Sequence, residues 1–253
     1  MFDVKQYRRK ESEVQRVESI MRMLPSGAVN VLEAGSRDGY ITLKLAAKYP
    51  AVTALDLKLP QVDHPNVTCV KGDITSLPFK DNSFDLIVCT EVLEHIPPEK
   101  LGKACRELMR VSRRYLLIGV PYKQDLRVHA MKCIHCGTIN PTTGHVNTFD
   151  EALLKTLFNG MPFGTVEYPG TGVYKTNRLS YAIYKRYGIP YGSYLQEEPC
   201  IYCGLPLKKP HLNVVARTIC LFAKGLEFLQ NKTGPSKSPV WIHILWDTTR
   251  RDS

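Results

Sequence analysis

Four cysteines of this 253-residue chain repeat one pattern, Cys133-Ile134-His135-Cys136-Gly137 and Cys200-Ile201-Tyr202-Cys203-Gly204. Two thiolates at this spacing can share one ion, and a glycine straight after the second lets the backbone turn beneath the metal with its amides toward the sulfurs. Two such knuckles offer Cys133, Cys136, Cys200 and Cys203 as four soft ligands, the set for a closed tetrahedral zinc site. With no open position the ion would be structural. A redox C-x-x-C fits less well because neither pair opens a helix after a strand. Four unrelated cysteines are the remaining alternative.

A second group of residues collects where apolar runs end. Val29-Asn30-Val31-Leu32-Glu33-Ala34 breaks into Gly35-Ser36-Arg37-Asp38-Gly39 and leads into an amphipathic segment, which reads as strand, tight loop and helix. Such a unit brings backbone amides and a helix N-terminus to the carboxyl end of a strand, where an open α/β sheet binds its ligand. The spacing is not G-x-G-x-x-G, and Arg37 stands where a pyrophosphate would need close backbone approach, so a dinucleotide is disfavoured. Glu33 would repel phosphates and suits a ligand with an ammonium group. Asp56 ends the run Ala51–Asp56 and is placed to accept from both hydroxyls of a ribose; a strand-end surface aspartate is the plainer alternative.

The elements that must hold these residues alternate. A helix is expected within residues 2–24, from Val14, Val17, Ile20, Met21 and Leu24, and another over Tyr40–Tyr49, stopped by Pro50. Strands are expected at 51–56, Val67–Lys71, Phe84–Cys89 and Tyr115–Val120, with a helix over 98–111. Strand and helix patterns alternate through 29–120, as a doubly wound parallel sheet requires.

Three motifs in this order carry a family resemblance: the acid and glycine loop Glu33–Gly39, Gly72-Asp73-Ile74 after the third strand, and the pairing of Phe84-Asp85-Leu86-Ile87-Val88-Cys89 with Glu91-Val92-Leu93-Glu94-His95-Ile96. The block 29–120 resembles the class I S-adenosylmethionine-dependent methyltransferases, with Arg37 as a departure at the middle glycine. The resemblance implies an α/β, doubly wound Rossmann-like seven-stranded sheet. It implies a cofactor site of Glu33, Gly35, Ser36, Arg37, Gly39, Asp56, Leu57, Gly72, Asp73, Ile74, Thr90 and Glu91, in which Asp73 holds the adenine amino group and Ile74 covers the ring. The order Glu91, Glu94, His95 and later His145 is also similar to the divalent-metal site of small-RNA 3′-end 2′-O-methyltransferases. The same E-V-L-E-H-I run, however, occurs in small-molecule methyltransferases without that ion.

Past residue 120 the alternation breaks. The expected organisation is a cofactor-binding core at 1–120, a first zinc-knuckle insertion at 121–147, a return to the core at 148–168, a second insertion at 169–238, and a final strand and tail at 239–253. The return holds a helix over Asp150–Phe158 with Asp150 as N-cap and a sixth strand at Gly164–Tyr168. A seventh strand at Val240–Trp246 should run antiparallel between the fifth and sixth, and Gly234–Pro239 reads as a linker. Eight of the 13 tyrosines fall between Tyr168 and Tyr202, and the second insertion holds ten Lys and Arg against three Asp and Glu, so most of the net charge of +10 lies there. Tyr174, Tyr181, Tyr184, Tyr187, Tyr191 and Tyr194 could line an acceptor pocket or simply pack the subdomain. Leu212–Leu229 reads as a broadly apolar helix, for a membrane surface or for covering a core.

No uncharged apolar run approaches the ~18 residues of a spanning helix, and C-x-x-C pairs suit a reducing compartment, so a cytoplasmic protein is expected. The expected function is O-methylation of a small-molecule or glycan acceptor, which the basic insertion would allow to be anionic. His145 and His95 are the candidate bases. Nucleic acid is disfavoured as a partner, and peripheral membrane contact stays open. The alternatives are an inactive zinc-bearing binding module, which Arg37 would favour, and a metal-dependent RNA methyltransferase.

Overall fold

The computed structural model describes residues 8–128, 130–141, 143–172, 176–192, 194, 199–233 and 238–248. The chain divides into two compact units. The larger comprises Val4–Lys123, Phe149–Gly170 and Pro239–Ser253; the smaller comprises Gln124–Thr148 and Thr171–Ser238.

In chain order the elements are α1 (Glu11–Met23), β1 (Asn30–Ala34), α2 (Tyr40–Ala46), β2 (Ala51–Asp56), β3 (Val67–Lys71), β4 (Phe84–Thr90), a 3₁₀ turn at Leu93–His95, α3 (Pro98–Val111), β5 (Ser112–Pro121), β6 (Ala130–Lys132), β7 (Ile139–Pro141), α4 (Glu151–Leu157), β8 (Thr165–Glu167), α5 (Arg178–Arg186), α6 (Val214–Thr233) and β9 (Trp241–Asp247).

The larger unit is a seven-stranded sheet in the order β3-β2-β1-β4-β5-β9-β8. The first five strands in that order pair in parallel, whereas β9 runs antiparallel to both β5 and β8. This is the Rossmann-like methyltransferase fold, with the last strand inserted where the sequence predicts it. Alternation along β4 explains the two cores. Ile87 and Cys89 point into the cluster that holds Leu101 and Leu108 of α3 and Phe158 beside α4, and Leu86 and Val88 into the one that holds Ile20 of α1 and Leu45 of α2. Burial on both faces explains why these strands read as continuous apolar runs.

Local signals set several boundaries. Asp150 caps α4 by accepting from the Leu153 amide at 2.8 Å. Proline at the first position starts α3.

The smaller unit contains the hairpin of β6 and β7, paired Met131 to Asn140 at its centre, and the helix pair α5 and α6. Asn177 and Asn213 cap those helices through their side-chain oxygens. The pair is tied by Ser180 Oγ donating to the Ala223 carbonyl at 2.8 Å and by Tyr184 Oη donating to Glu227. Helix α6 runs to Thr233, beyond the expected end at residue 229, and residues 234–237 of the expected linker lie outside the described residues. No described helix is long and apolar enough to cross a membrane.

Candidate cofactor site and metal centre

The loop after β1 is shaped by two glycines. Gly35 has φ +91° and Gly39, which starts α2, has φ +75°, a region costly for residues with a Cβ. Space demands glycine as well. A Cβ on Gly35 would stand 2.1 Å from Val92 Cγ2, and one on Gly39 would stand 2.3 Å from Val62 Cγ2. The loop is anchored on β2, because the amides of Gly35 and Ser36 both donate to the Leu55 carbonyl, at 2.8 and 3.1 Å. Arg37 adopts φ +47°, so it follows the backbone path that glycine would take more cheaply, and its side chain is exposed.

Three acids stand at or just beyond the carboxyl ends of the adjacent strands β1, β2 and β3. Glu33 is buried and accepts from the Thr42 hydroxyl; burial pushes its carboxyl up to about 8, with Thr42 opposing and the acids Asp38 and Asp56 adding to the rise. Asp56 accepts from the Arg37 amide. Asp73 accepts from the Thr75 amide at 2.8 Å, which holds its carboxyl below the usual range. Ile74 packs into the main core cluster beside Leu55 and Leu77, while Leu57 is exposed. Gly72 joins the loops by donating its amide to the Asp56 carbonyl at 2.9 Å. Ser36 is buried, yet its hydroxyl has no hydrogen-bond partner among the described residues. A buried orphan hydroxyl in a glycine-shaped cradle flanked by carboxylates suits a polar, cationic ligand such as S-adenosylmethionine.

Beyond β4, Glu91 has φ +59° and its amide donates to the Gly119 carbonyl at 3.0 Å, turning the chain out of the sheet. Its carboxyl is pushed up to about 7, chiefly by burial, with Arg16 opposing, Glu13 adding and a Trp241 hydrogen bond opposing. Glu94 is fully buried, neither of its carboxyl oxygens has a partner among the described residues, and burial drives its carboxyl well above the usual range. Beneath lie groups that the sequence reading missed. Arg16 and Glu13 form a buried double hydrogen bond of 2.6 and 2.8 Å, and His243 Nδ1 lies 2.8 Å from Ser19 Oγ. Burial holds His243 down to about 3, so it is neutral. Of the expected bases, His95 is exposed in the 3₁₀ turn of the larger unit, and His145 belongs to the smaller unit, where its Nδ1 lies 2.7 Å from Gln124 Oε1.

The smaller unit brings the four cysteines of the two C-x-x-C-G repeats together, with all sulfurs within 4.8 Å of one another. Cys133 and Cys203 are 3.7 Å apart, and Cys136 and Cys200 are 3.6 Å apart. A tetrahedron with metal–sulfur bonds of about 2.3 Å has edges of about 3.8 Å, whereas a disulfide requires about 2.05 Å. The donor set and spacing therefore fit a thiolate-bound ion. The knuckles also repeat one backbone pattern. Cys133 donates to the Thr138 carbonyl and Gly137 to that of Cys133; likewise Cys200 donates to Leu205 and Gly204 to Cys200, all at 2.8 to 3.0 Å. Gly137 and Gly204 have φ of +75° and +71°, as the turn beneath a metal requires.

The tyrosines of this unit mostly pack inside it. Tyr184 is buried, with its ring 5.4 Å from that of Tyr191, and Tyr194 Oη donates to the Gly188 carbonyl at 2.7 Å. Tyr181 and Tyr187 flank the same cluster, and Tyr174 lies outside the described residues.

Residues 32–115 match the family described as a methyltransferase domain, the segment that carries the glycine loop and the acids at its strand ends. An uncharacterised methyltransferase of Schizosaccharomyces pombe is 26% identical over 145 residues, covering 53% of this chain and 54% of that protein. The malonyl-[acyl-carrier protein] O-methyltransferase of Erwinia pyrifoliae is 37% identical over 94 residues, 35% of each chain. This chain thus spans about half the length of the first relative and a third of the second. A Bacillus halodurans structure described as that of a methyltransferase superposes with a TM-score of 0.55 at 13% identity, over 94% of this chain and 99% of that one, and it supports the fold. The match and the superposition agree on the fold of the larger unit.

Proposed function

We propose that this protein transfers the methyl group of S-adenosylmethionine to an oxygen of a small-molecule or glycan acceptor. The observation that carries the cofactor reading is the loop between β1 and β2, where Gly35 and Gly39 let the backbone pass tightly against Val92 and Val62, Ser36 presents a buried unpartnered hydroxyl, and Glu33 and Asp56 flank the turn. Glu33 would face the ammonium end, Asp56 would accept from the ribose hydroxyls, and Asp73, with one oxygen engaged by Thr75, would take the adenine edge with the other. Bound there, the sulfonium supplies an activated methyl group, and the chain's task is to hold the acceptor in line with it and keep water out. Similarity to an O-methyltransferase over 94 residues supports oxygen as the acceptor atom.

In the smaller unit, the four thiolates would hold one structural zinc ion. The reading as an inactive binding module gains little from Arg37, because the loop keeps its shape around that residue.

Calorimetry with S-adenosylmethionine and S-adenosylhomocysteine tests the cofactor site. Binding near micromolar is expected, and its absence would sink the enzyme reading. Transfer of labelled methyl to hydroxyl and carboxyl acceptors then tests the substrate class.

A further inference from the structure

Helix α6 is built inside out. Its inward stripe is made of small or polar residues, Ala216, Cys220, Ala223 and Glu227, all buried. Six of its large apolar residues come as adjacent pairs seven positions apart, Val214-Val215, Leu221-Phe222 and Phe228-Leu229, and all six are exposed, while Ile219 and Leu226 beside them are half-buried. Val214 is 82% exposed, Phe222 63% and Phe228 65%. At 3.6 residues per turn these pairs fall on one face, roughly 140° wide, opposite the buried stripe. A helix that only covered a core would not leave six large apolar side chains facing out.

Charge says what the outward face meets. Arg217 and Lys224 run along one edge of the apolar stripe and Lys232 closes its C-terminal end, all exposed. The one acid of the helix, Glu227, faces inward and accepts from Tyr184 Oη. At the N-terminal end the stripe runs into a cleft of about 600 Å³, where Val215 shares the lining with Lys132, Arg186 and His211. An apolar face with one cationic edge and no acid complements an anionic lipid surface, in which acyl chains take the phenylalanines and phosphates the lysines and arginines. A second copy of the chain suits it less well. The centre line of the face carries Thr218, Gly225 and Lys232, which fill no helix–helix seam, and a second copy offers no acid on this face to meet the cations. The helix is not one that spans a bilayer, so it would lie in the interface.

We propose that α6 is a membrane-docking helix that lays Val214, Val215, Leu221, Phe222, Phe228 and Leu229 into the headgroup boundary of an anionic phospholipid bilayer. This stands independently of the cofactor site. It would bring the protein to acceptors carried on lipid.

The test is co-sedimentation of the full chain with vesicles of phosphatidylcholine alone and of phosphatidylcholine with phosphatidylglycerol. Binding to the second and little to the first is expected. Phe222→Ser and Phe228→Ser should each weaken it by about tenfold, the loss of one buried aromatic side chain. Arg217→Glu and Lys224→Glu should each weaken it by at least about fivefold, an effect that high salt abolishes. Circular dichroism and metal content of each variant report whether the fold survives. A gain-of-signal variant, Phe222→Trp, should show emission that shifts to the blue with phosphatidylglycerol vesicles and is quenched by brominated lipid; Trp241 and Trp246 are buried and give a constant background. No binding to anionic vesicles, or binding equal in the serine variants, overturns the proposal. So does a solution dimer that Phe222→Ser and Phe228→Ser dissolve while vesicle binding is absent, which would assign the face to a second copy.

Discussion

Arg37 and Asp56 are joined through the backbone: the Arg37 amide donates to Asp56 Oδ2 at 2.8 Å, so the loop after β1 is fastened to the acid that ends β2. One carboxylate oxygen is spent on loop shape, and the other is left for a ligand.

Asp56→Ala should therefore weaken S-adenosylmethionine binding by more than a single lost contact. Each hydrogen bond to a charged group is worth about 1.5–3 kcal/mol, so a loss of at least about tenfold is expected by calorimetry, with the melting temperature nearly unchanged. Arg37→Gly should leave affinity intact, since the side chain points to solvent and only the amide is used. Unchanged affinity in Asp56→Ala would remove that residue from the site.

Gly35→Ala places a methyl group against Val92. Overpacking of this kind costs roughly 1–3 kcal/mol, and the loop must shift to relieve it, so both stability and cofactor affinity should fall. The double variant with Val92→Ala should recover affinity more fully than stability, because φ at position 35 stays strained. Thermal melts with and without S-adenosylhomocysteine separate the two effects.

The Glu33 carboxyl, raised to about 8 by burial, gives a signed pH dependence. Between its ordinary value near 4.5 and about 8 the folded state holds a proton that the unfolded state has lost. Its contribution is therefore fully present at low pH and declines as pH rises through that window. Glu33→Gln should flatten this decline in the apo protein. A cationic ligand prefers the ionised form, so cofactor binding should release a proton below about 8. Calorimetry in buffers of different ionisation enthalpy measures that proton, and its absence would mean that Glu33 does not meet the cation.

For the cysteine cluster, elemental analysis should find about one zinc per chain. Cys200→Ser should expose both knuckles to limited proteolysis, since Cys200 shares the cluster with Cys133 and Cys136. Cleavage confined to one knuckle would show that the pairs do not share an ion.

Much of the sheet was legible because its strands are long, apolar and bounded by glycine, proline or acids. The interval 98–111 matches α3 to the residue, its Leu101, Cys105 and Leu108 marking one buried face. Other elements were not legible. The hairpin that carries the first knuckle has strands of three residues, too short to show any period. Helix α5 does carry a signal, Asn177 as a cap and tyrosines at 181 and 184 one turn apart, but its spacing is masked by a run of tyrosines that suits a binding pocket equally well. Within the cofactor loop, residue types could be read from the sequence, whereas the orphan hydroxyl of Ser36 could not. The buried pair Glu13 and Arg16 looks in sequence like any solvated helix pair; only the fold places it under Glu91.

The position of β9 has a consequence for biosynthesis. It lies between β5 and β8, yet it is the last of the described strands to leave the ribosome, after the whole smaller unit. Until Trp241–Asp247 emerges, β5 presents a bare edge and β8 has no neighbour in the sheet. A nascent chain paused before that point would carry an open, apolar strand edge, the kind that recruits chaperones or other nascent chains. Closing the sheet is thus the final act of making the larger unit, and a chain cut short before residue 241 should be insoluble even though every cofactor-loop residue is already present.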